Sequence, residues 1–168
     1  MLAIINPAEL DLKEETIVKI RRVAKVNALG KRFRFSAVAV VGDGKGHIGV
    51  GVGKAGEVIL AITKAKEKAK QAIVKVPVVN GTIPHKIIGV HGASKVLLKP
   101  ASPGTGIIAG AGVRAVMEQV GINDILTKSL GSNNSMNVVK ATLNALINLH
   151  DAVSVANRRG ITIPEIFN

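Results

Sequence analysis

The sequence has no cysteine, tryptophan or tyrosine, and its only aromatic side chains are Phe33, Phe35 and Phe167. Without thiols there can be no disulfide, thiolate zinc site or cysteine nucleophile. With so few aromatics, recognition of single-stranded bases by stacking on a sheet is disfavoured, which leaves the backbone and shape of a folded RNA. Acidic residues are also scarce, 11 against 23 Lys and Arg in 168 residues. The resulting net charge of +12 and sequence pI of about 10.3 call for a polyanionic partner. There is neither an apolar run of ~18 residues nor a basic amphipathic helix, so a membrane is not the expected partner. Met1 to Leu12 shows no basic stretch leading into an apolar one, which points away from a secretory signal and towards a cytoplasmic or organelle-interior location. What is present is a hydrophobic fraction of 47%, enough to fill a real core.

Residues 1–14 read as a partly ordered leader containing Glu9, Asp11 and Glu14. Thr16 to Val26 is β-branched and basic, and its apolar alternation slips at Arg21 and Arg22, as a bulged strand would. A loop, Asn27 to Lys31, precedes a strand in which Phe33, Phe35, Ala37 and Ala39 alternate with polar residues. The turn Gly42-Asp43-Gly44-Lys45-Gly46 leads to a third strand. There Ile48, Val50 and Val52 share one face and Gly49, Gly51 and Gly53 the other, so something can approach the glycine face closely. From Ala55 the period becomes helical, with a stripe of Val58, Ile62, Ala65, Ala69, Ala72 and Val76 that Pro77 terminates.

A second unit starts near Val78. Asn80-Gly81 signals a tight turn, and Lys86 to Val90 and Lys95 to Leu98 read as strands. A Gly-rich loop, Ser102 to Gly106, opens a helix through Val120. A short strand follows at Ile125 to Ser129, then a helix capped by Ser132 to Ser135 with a stripe of Val139, Leu143 and Leu146. The expected fold is α+β: a three-stranded sheet plus helix, then a β-α-β-α two-layer unit. The expected divisions are a leader at 1–14, domains at 15–76 and 77–160, and a tail at 161–168. Residues 1–76 carry 15 basic and 7 acidic side chains, net +8, against 8 and 4, net +4, in the remainder, so the first domain should lead contact with the polyanion.

The densest cationic stretch is Lys19, Arg21, Arg22, Lys25, Lys31, Arg32 and Arg34, with no acid among them. Lys offers a mobile point charge and Arg a planar fork for phosphate oxygens. A merely solvated face usually mixes signs, and this one does not. Lys45, Lys54, His85, Lys86 and Lys95 extend the candidate RNA-binding set. Gly44 to Gly49 satisfies GxGxxG, but a strand follows it where a dinucleotide site needs a helix. Gly104-Thr105-Gly106, with Asp124 downstream, is the sharper nucleotide candidate. Asp124, however, precedes its strand instead of ending it, so a loop offering amides to RNA or a protein neighbour is preferred. The four histidines lack metal-ligand spacing, and no catalytic constellation or small-molecule substrate site is visible, so neither metal nor cofactor is expected.

Phe33 to Val41, Gly42 to Gly51, Gly53-Lys54, Pro100 to Gly110, Gly131-Ser132 and Asn137 to Thr142 together closely resemble the bacterial-type fifth protein of the small ribosomal subunit, from about residue 10 to the end. The resemblance implies a double-stranded-RNA-binding-like N-terminal domain and a C-terminal β-α-β-type domain, an α/β sandwich, with an unusual left-handed crossover. It further implies a non-enzymatic role in the cytoplasmic small subunit, where head meets body, in assembly and decoding accuracy. The implied partners are small-subunit rRNA, the fourth and eighth small-subunit proteins, and mRNA on its entry path. By position it places Gly104, Gly106 and Arg114 at a protein interface. It also places Val23, Ala24, Lys25, Leu29 and Gly30 in an rRNA-contacting loop linked to antibiotic resistance, where many relatives have two adjacent glycines in place of Leu29-Gly30. A free double-stranded nucleic-acid binder and a nucleotide-using enzyme are the competing classes.

Overall fold

The computed structural model describes residues 10–28 and 30–166. Leu29 of the expected drug-linked loop, most of the expected leader and the last two residues of the expected tail lie outside the described residues.

β1 (Thr16–Asn27), β2 (Gly30–Gly42) and β3 (His47–Ala55) form an antiparallel meander, as the alternation of apolar residues suggests. The bulge in β1 lies at Val18, not at Arg21 and Arg22: Ile17 faces Ala39 and Lys19 faces Val38, which leaves Val18 as the extra residue. Val18 packs against the main core, whereas Arg21 and Arg22 interrupt the apolar pattern because neither face of the strand is covered there.

The glycine face of β3 has the predicted purpose. α1 (Val58–Gln71) lies across it with Ala61, Ala65 and Ala69 buried, one per turn. A methyl built on Gly49, Gly51 or Gly53 would overlap the carbonyl oxygen of Ala69, Ala65 or Ala61 in turn. The helix ends at Gln71, well before Pro77. Ile73 and Val74 turn inward as β4 (Ile73–Lys75), which pairs with β3, so a short fourth strand stands where the helical stripe was expected to continue. Two β-branched residues that gain both a sheet edge and a buried position outweigh one more helical turn.

β5 (Ile87–His91), β6 (Ser94–Pro100), β7 (Ile107–Ile108) and β8 (Ile125–Ser129) make the second sheet, in the order β5-β6-β8-β7, with β7 parallel to β8. α2 (Ala111–Val120) crosses between β7 and β8, and α3 (Ser135–Ile147) packs on β5 and β6. The Gly-rich loop therefore leads into β7 and only then into α2. Asn80 (φ 49°) and Gly81 (φ 76°) form the expected tight turn, closed by Val79 and Thr82. Two short helices, α4 (Ala152–Arg159) and α5 (Ile163–Ile166), were not foreseen, and α5 occupies part of the expected tail.

Val38, Val40 and Ile48 of the first sheet share one core with Leu98, Val116, Met117, Ile125 and Leu146 of the second unit. The α1 side holds the smaller cluster of Ala37, Ala39, Ala55, Ala61 and Ala65. This is why β2 is buried on both faces from Ala37 to Val41.

The turn between β2 and β3 clasps the second unit. The backbone amides of Gly44 and Gly46 donate to the carbonyls of Gln119 and Val120, each at 2.9 Å, and so satisfy the end of α2. Asp43 is buried and shapes the turn by accepting from the amides of Lys45 (2.7 Å) and His47 (3.0 Å) and pairing with the His47 ring at 2.5 Å. Burial pushes the Asp43 carboxyl up, but the hydrogen bonds from Lys45 and His47 together outweigh it and hold the group below the usual carboxylate range.

Candidate nucleic-acid interface

β2 has paired with β3 only from Phe35 onward, whereas it pairs with β1 out to Asn27 and Gly30. Five residues of each strand, Val23–Asn27 and Gly30–Arg34, therefore project from the sheet as a two-stranded ribbon about 17 Å long at the usual rise per residue. Asn27, Gly30 and Lys31, expected in a loop, are paired strand residues, and Gly30 takes φ 118° there. Every described residue from Lys19 to Arg34 is exposed.

Cross-strand register sorts the cations. Lys19, Arg21 and Lys25 share one face with Arg32, Arg34 and, from β3, Lys54; Arg22 and Lys31 lie on the other. Lys25 stands directly opposite Arg32, and Arg21, Ser36 and Lys54 form a row across three strands. Like charges placed opposite one another destabilise a strand pair unless an anion lies between them. Among the described residues the carboxylates in ion pairs are Asp43, with His47, and Glu15, with Lys66 and Lys70; none of these cations is so paired. Those two lysines hold Glu15 down at about 2, with the hydrogen bond from Lys66 the larger cause. On the second face, the guanidinium carbon of Arg22 sits 3.7 Å from the centre of the Phe33 ring, which orients the fork and leaves its edges free.

The first face continues into a cleft of about 160 Å³ lined by Lys19, Arg21, Ser36, Lys54, Asn134 and Ser135. Asn134 and Ser135 begin α3, whose first turn has no acid and no side-chain cap, so its free amides add positive potential on the same side. Ser36, Asn134 and Ser135 were not among the expected RNA-binding residues. The polar run Ser132 to Ser135 was visible, but its nearness to Arg21 and Lys54 is a product of the tertiary fold.

The remaining expected residues are not gathered here. Lys45 is at the far end of β2, a strand about 40 Å long. Lys86 and Lys95 are exposed on the second unit. His85 is a brace: its Nε2 accepts from the His150 amide at 3.1 Å, with Nδ1 3.1 Å from the Lys86 carbonyl oxygen. Gly106 donates its amide to Asp124 Oδ1 at 2.9 Å, and Arg114 donates to the Ile107 carbonyl at 2.8 Å, so these two gather around β7, with Gly104 in the exposed loop just before. Both nucleotide-like motifs are thereby committed internally, because Asp124 is held by Gly106 and the Gly44 and Gly46 amides by α2.

Comparison with known families bears on the whole of this arrangement. Residues 13–77 match the N-terminal domain of ribosomal protein S5, and residues 89–159 match its C-terminal domain. The chain belongs to the ribosomal protein S5 family. It is 58% identical to the small ribosomal subunit protein uS5 of Thermotoga maritima, over 92% of this chain and 86% of the relative. Identity to the uS5 protein of Chloroflexus aurantiacus is 53%, over 96% of this chain and 90% of that one. The uS5 protein of Salinibacter ruber is likewise 53% identical, over 92% and 88%. As an S5-family member the chain is a structural component of the small ribosomal subunit and not an enzyme. The family's two matched regions correspond to the two sheets, and no helix among the described residues is long and apolar enough to cross a membrane.

Proposed function

We propose that this S5-family protein binds small-subunit rRNA through the ribbon of β1 and β2 and the cleft beside α3, in the cytoplasmic ribosome. The single observation that carries the reading is the ribbon itself: Lys25 opposite Arg32, with Arg34, Lys31 and Arg22 around them and no carboxylate among them. A phosphate backbone relieves that repulsion, and two strands entering a groove of folded RNA reach phosphates on both sides.

In this reading two domains, 15–76 and 77–160, hold the cations in a fixed pattern by sharing one core. Neutralising crowded phosphates lets rRNA segments approach, which supports assembly and steadies the head of the subunit against its body. Gly104, Gly106 and Arg114, around β7, meet the fourth small-subunit protein, where a change in fit alters decoding accuracy, and the eighth protein lies against the second unit. The mRNA entry path runs past the exposed basic surface. The drug-linked residues Val23, Ala24, Lys25 and Gly30 belong to the ribbon. No bond is made or broken in any of these roles.

Replacing Lys25, Lys31, Arg32 and Arg34 together by Ala tests the reading, because these side chains are exposed and carry no packing. The affinity for a small-subunit rRNA fragment should fall, and its log–log dependence on salt should flatten by roughly 0.7 to 0.9 per lost phosphate contact. An unchanged slope with unchanged affinity would falsify the assignment.

A further inference from the structure

His85 uses both of its ring nitrogens, and together they fix its charge. Its Nε2 accepts a hydrogen bond from the His150 amide at 3.1 Å, and an amide N–H can only donate. Its Nδ1 lies 3.1 Å from the Lys86 carbonyl oxygen, which can only accept, so the proton of the ring is on Nδ1. A ring held in this way is a neutral imidazole. A second proton would go to Nε2 and set one N–H donor against another.

What the bond holds is the end of the described chain. Leu146 and Leu149 are anchored in the shared core, but beyond His150 the anchoring is slight. Ala156 is the only buried residue of α4, and α5 has none. The hydrogen bonds of residues 151–166 stay inside the segment. Asp151 caps α4 by accepting from the Ser154 amide at 2.8 Å, Gly160 and Ile161 donate to the Ala156 carbonyl, and the Thr162 amide donates to Glu165. Among the described residues no ion pair joins the segment to the rest. The bond from the His150 amide to His85 is therefore the last polar tie between α4–α5 and the second sheet.

The charged groups nearby do not replace that tie. Lys86 is the next residue, the His150 ring centre is 6.4 Å from that of His85, and Lys75 of β4 stands across a cavity that His150 and Asp151 also line. Asp151 is committed to its cap, where the hydrogen bonds from Ser154 hold its carboxyl below the usual carboxylate range. A protonated His85 meets no free carboxylate among these groups.

We infer that His85 is a proton-operated latch, which ties the α4–α5 segment to the second unit when its ring is neutral and releases it when the ring is protonated. Imidazole is the side chain that changes charge between pH 5 and 8. Only the neutral ring accepts from the His150 amide, so the tie is complete at the upper end of that range and is lost as pH falls. Arg158 and Arg159, exposed in the last turn of α4, move with the segment, so proton uptake at one ring redistributes cationic surface. The latch is independent of the proposed rRNA interface, which lies on the ribbon and beside the start of α3, and it stands whether or not that reading does.

NMR on the full-length chain between pH 8 and pH 5 reads both ends of the latch in one sample. As the His85 ring takes its second proton, followed through its side-chain nitrogens, backbone order parameters of Ala152–Arg159 should fall from about 0.85 to below about 0.6, while those of β5 and β6 hold. In His85→Gln, which has no titrating group at that position, this dependence on pH should vanish. In His150→Asn, which keeps the backbone amide, it should persist. The wild-type titration decides the matter even where a variant fails to fold. An α4 whose order does not change across the range, a response that survives in His85→Gln, or one that disappears in His150→Asn would overturn the inference.

Discussion

At the scale of single residues, the arginine stacked on Phe33 differs from its neighbours. Lys25 and Arg32 owe their positions to strand register alone, whereas the Arg22 guanidinium is held over a ring 3.7 Å away. In the proposed reading Phe33 is therefore a positioning residue for one phosphate contact by Arg22. Cation–π attraction at an exposed site is worth about 0.5–1 kcal/mol, so Phe33→Leu should weaken binding to an rRNA fragment about two- to fivefold. Phe33→Tyr should keep full affinity. In an Arg22→Ala background Phe33→Leu should have no further effect, because both changes remove the same contact. Binding titrations on the wild type and these four variants decide it, and additive losses would show that Phe33 acts independently of Arg22.

At the scale of elements, the seat of α1 on β3 dominates the first unit. Three glycines meet three alanines one helical turn apart, and the backbones approach so closely that no methyl fits. Gly51→Ala should thus destabilise the protein by about 1–3 kcal/mol through overpacking. For a chain of this length that lowers the melting temperature by roughly 2–4 °C per kcal/mol. Gly56→Ala is the matched control, because a methyl there meets nothing within 4 Å and the melting temperature should hold. Thermal unfolding followed by circular dichroism compares the two.

This seat was legible in the sequence, since alternating glycines beside a helical period require a close partner. The end of α1 was not. Ile73, Val74 and Val76 continue an apolar run that suits either a helix or a strand, and only the free edge of β3 selects β4. The ribbon was half legible: its charges were plain, but residues 27–31 read as a loop because the pairing partner of each strand end is set by register.

At the scale of the whole molecule, the turn at Gly42–Gly46 and the shared core make the two sheets one body. The amides of Gly44 and Gly46 close the end of α2, Gln119 donates to the Glu14 carbonyl and the Thr16 hydroxyl, and Val38, Val40 and Ile48 pack with the second unit. Calorimetry should accordingly give one unfolding transition whose calorimetric and van't Hoff enthalpies agree. Two resolved transitions would mean that the units fold separately.

The sequence by itself determined the cationic character, the absence of thiol and stacking chemistry, the alternation of most strands, the glycine seat and the family. These depend on residue identity and on local period, which are written along the chain. Tertiary structure alone decided that Arg21 and Lys54 share a cleft with Ser135, that Asp124 and the Gly44 and Gly46 amides are spent on internal bonds, and that the His85 ring meets the His150 amide. Those outcomes turn on register and on packing between residues far apart in sequence, where a shift of one position reverses which face a side chain occupies.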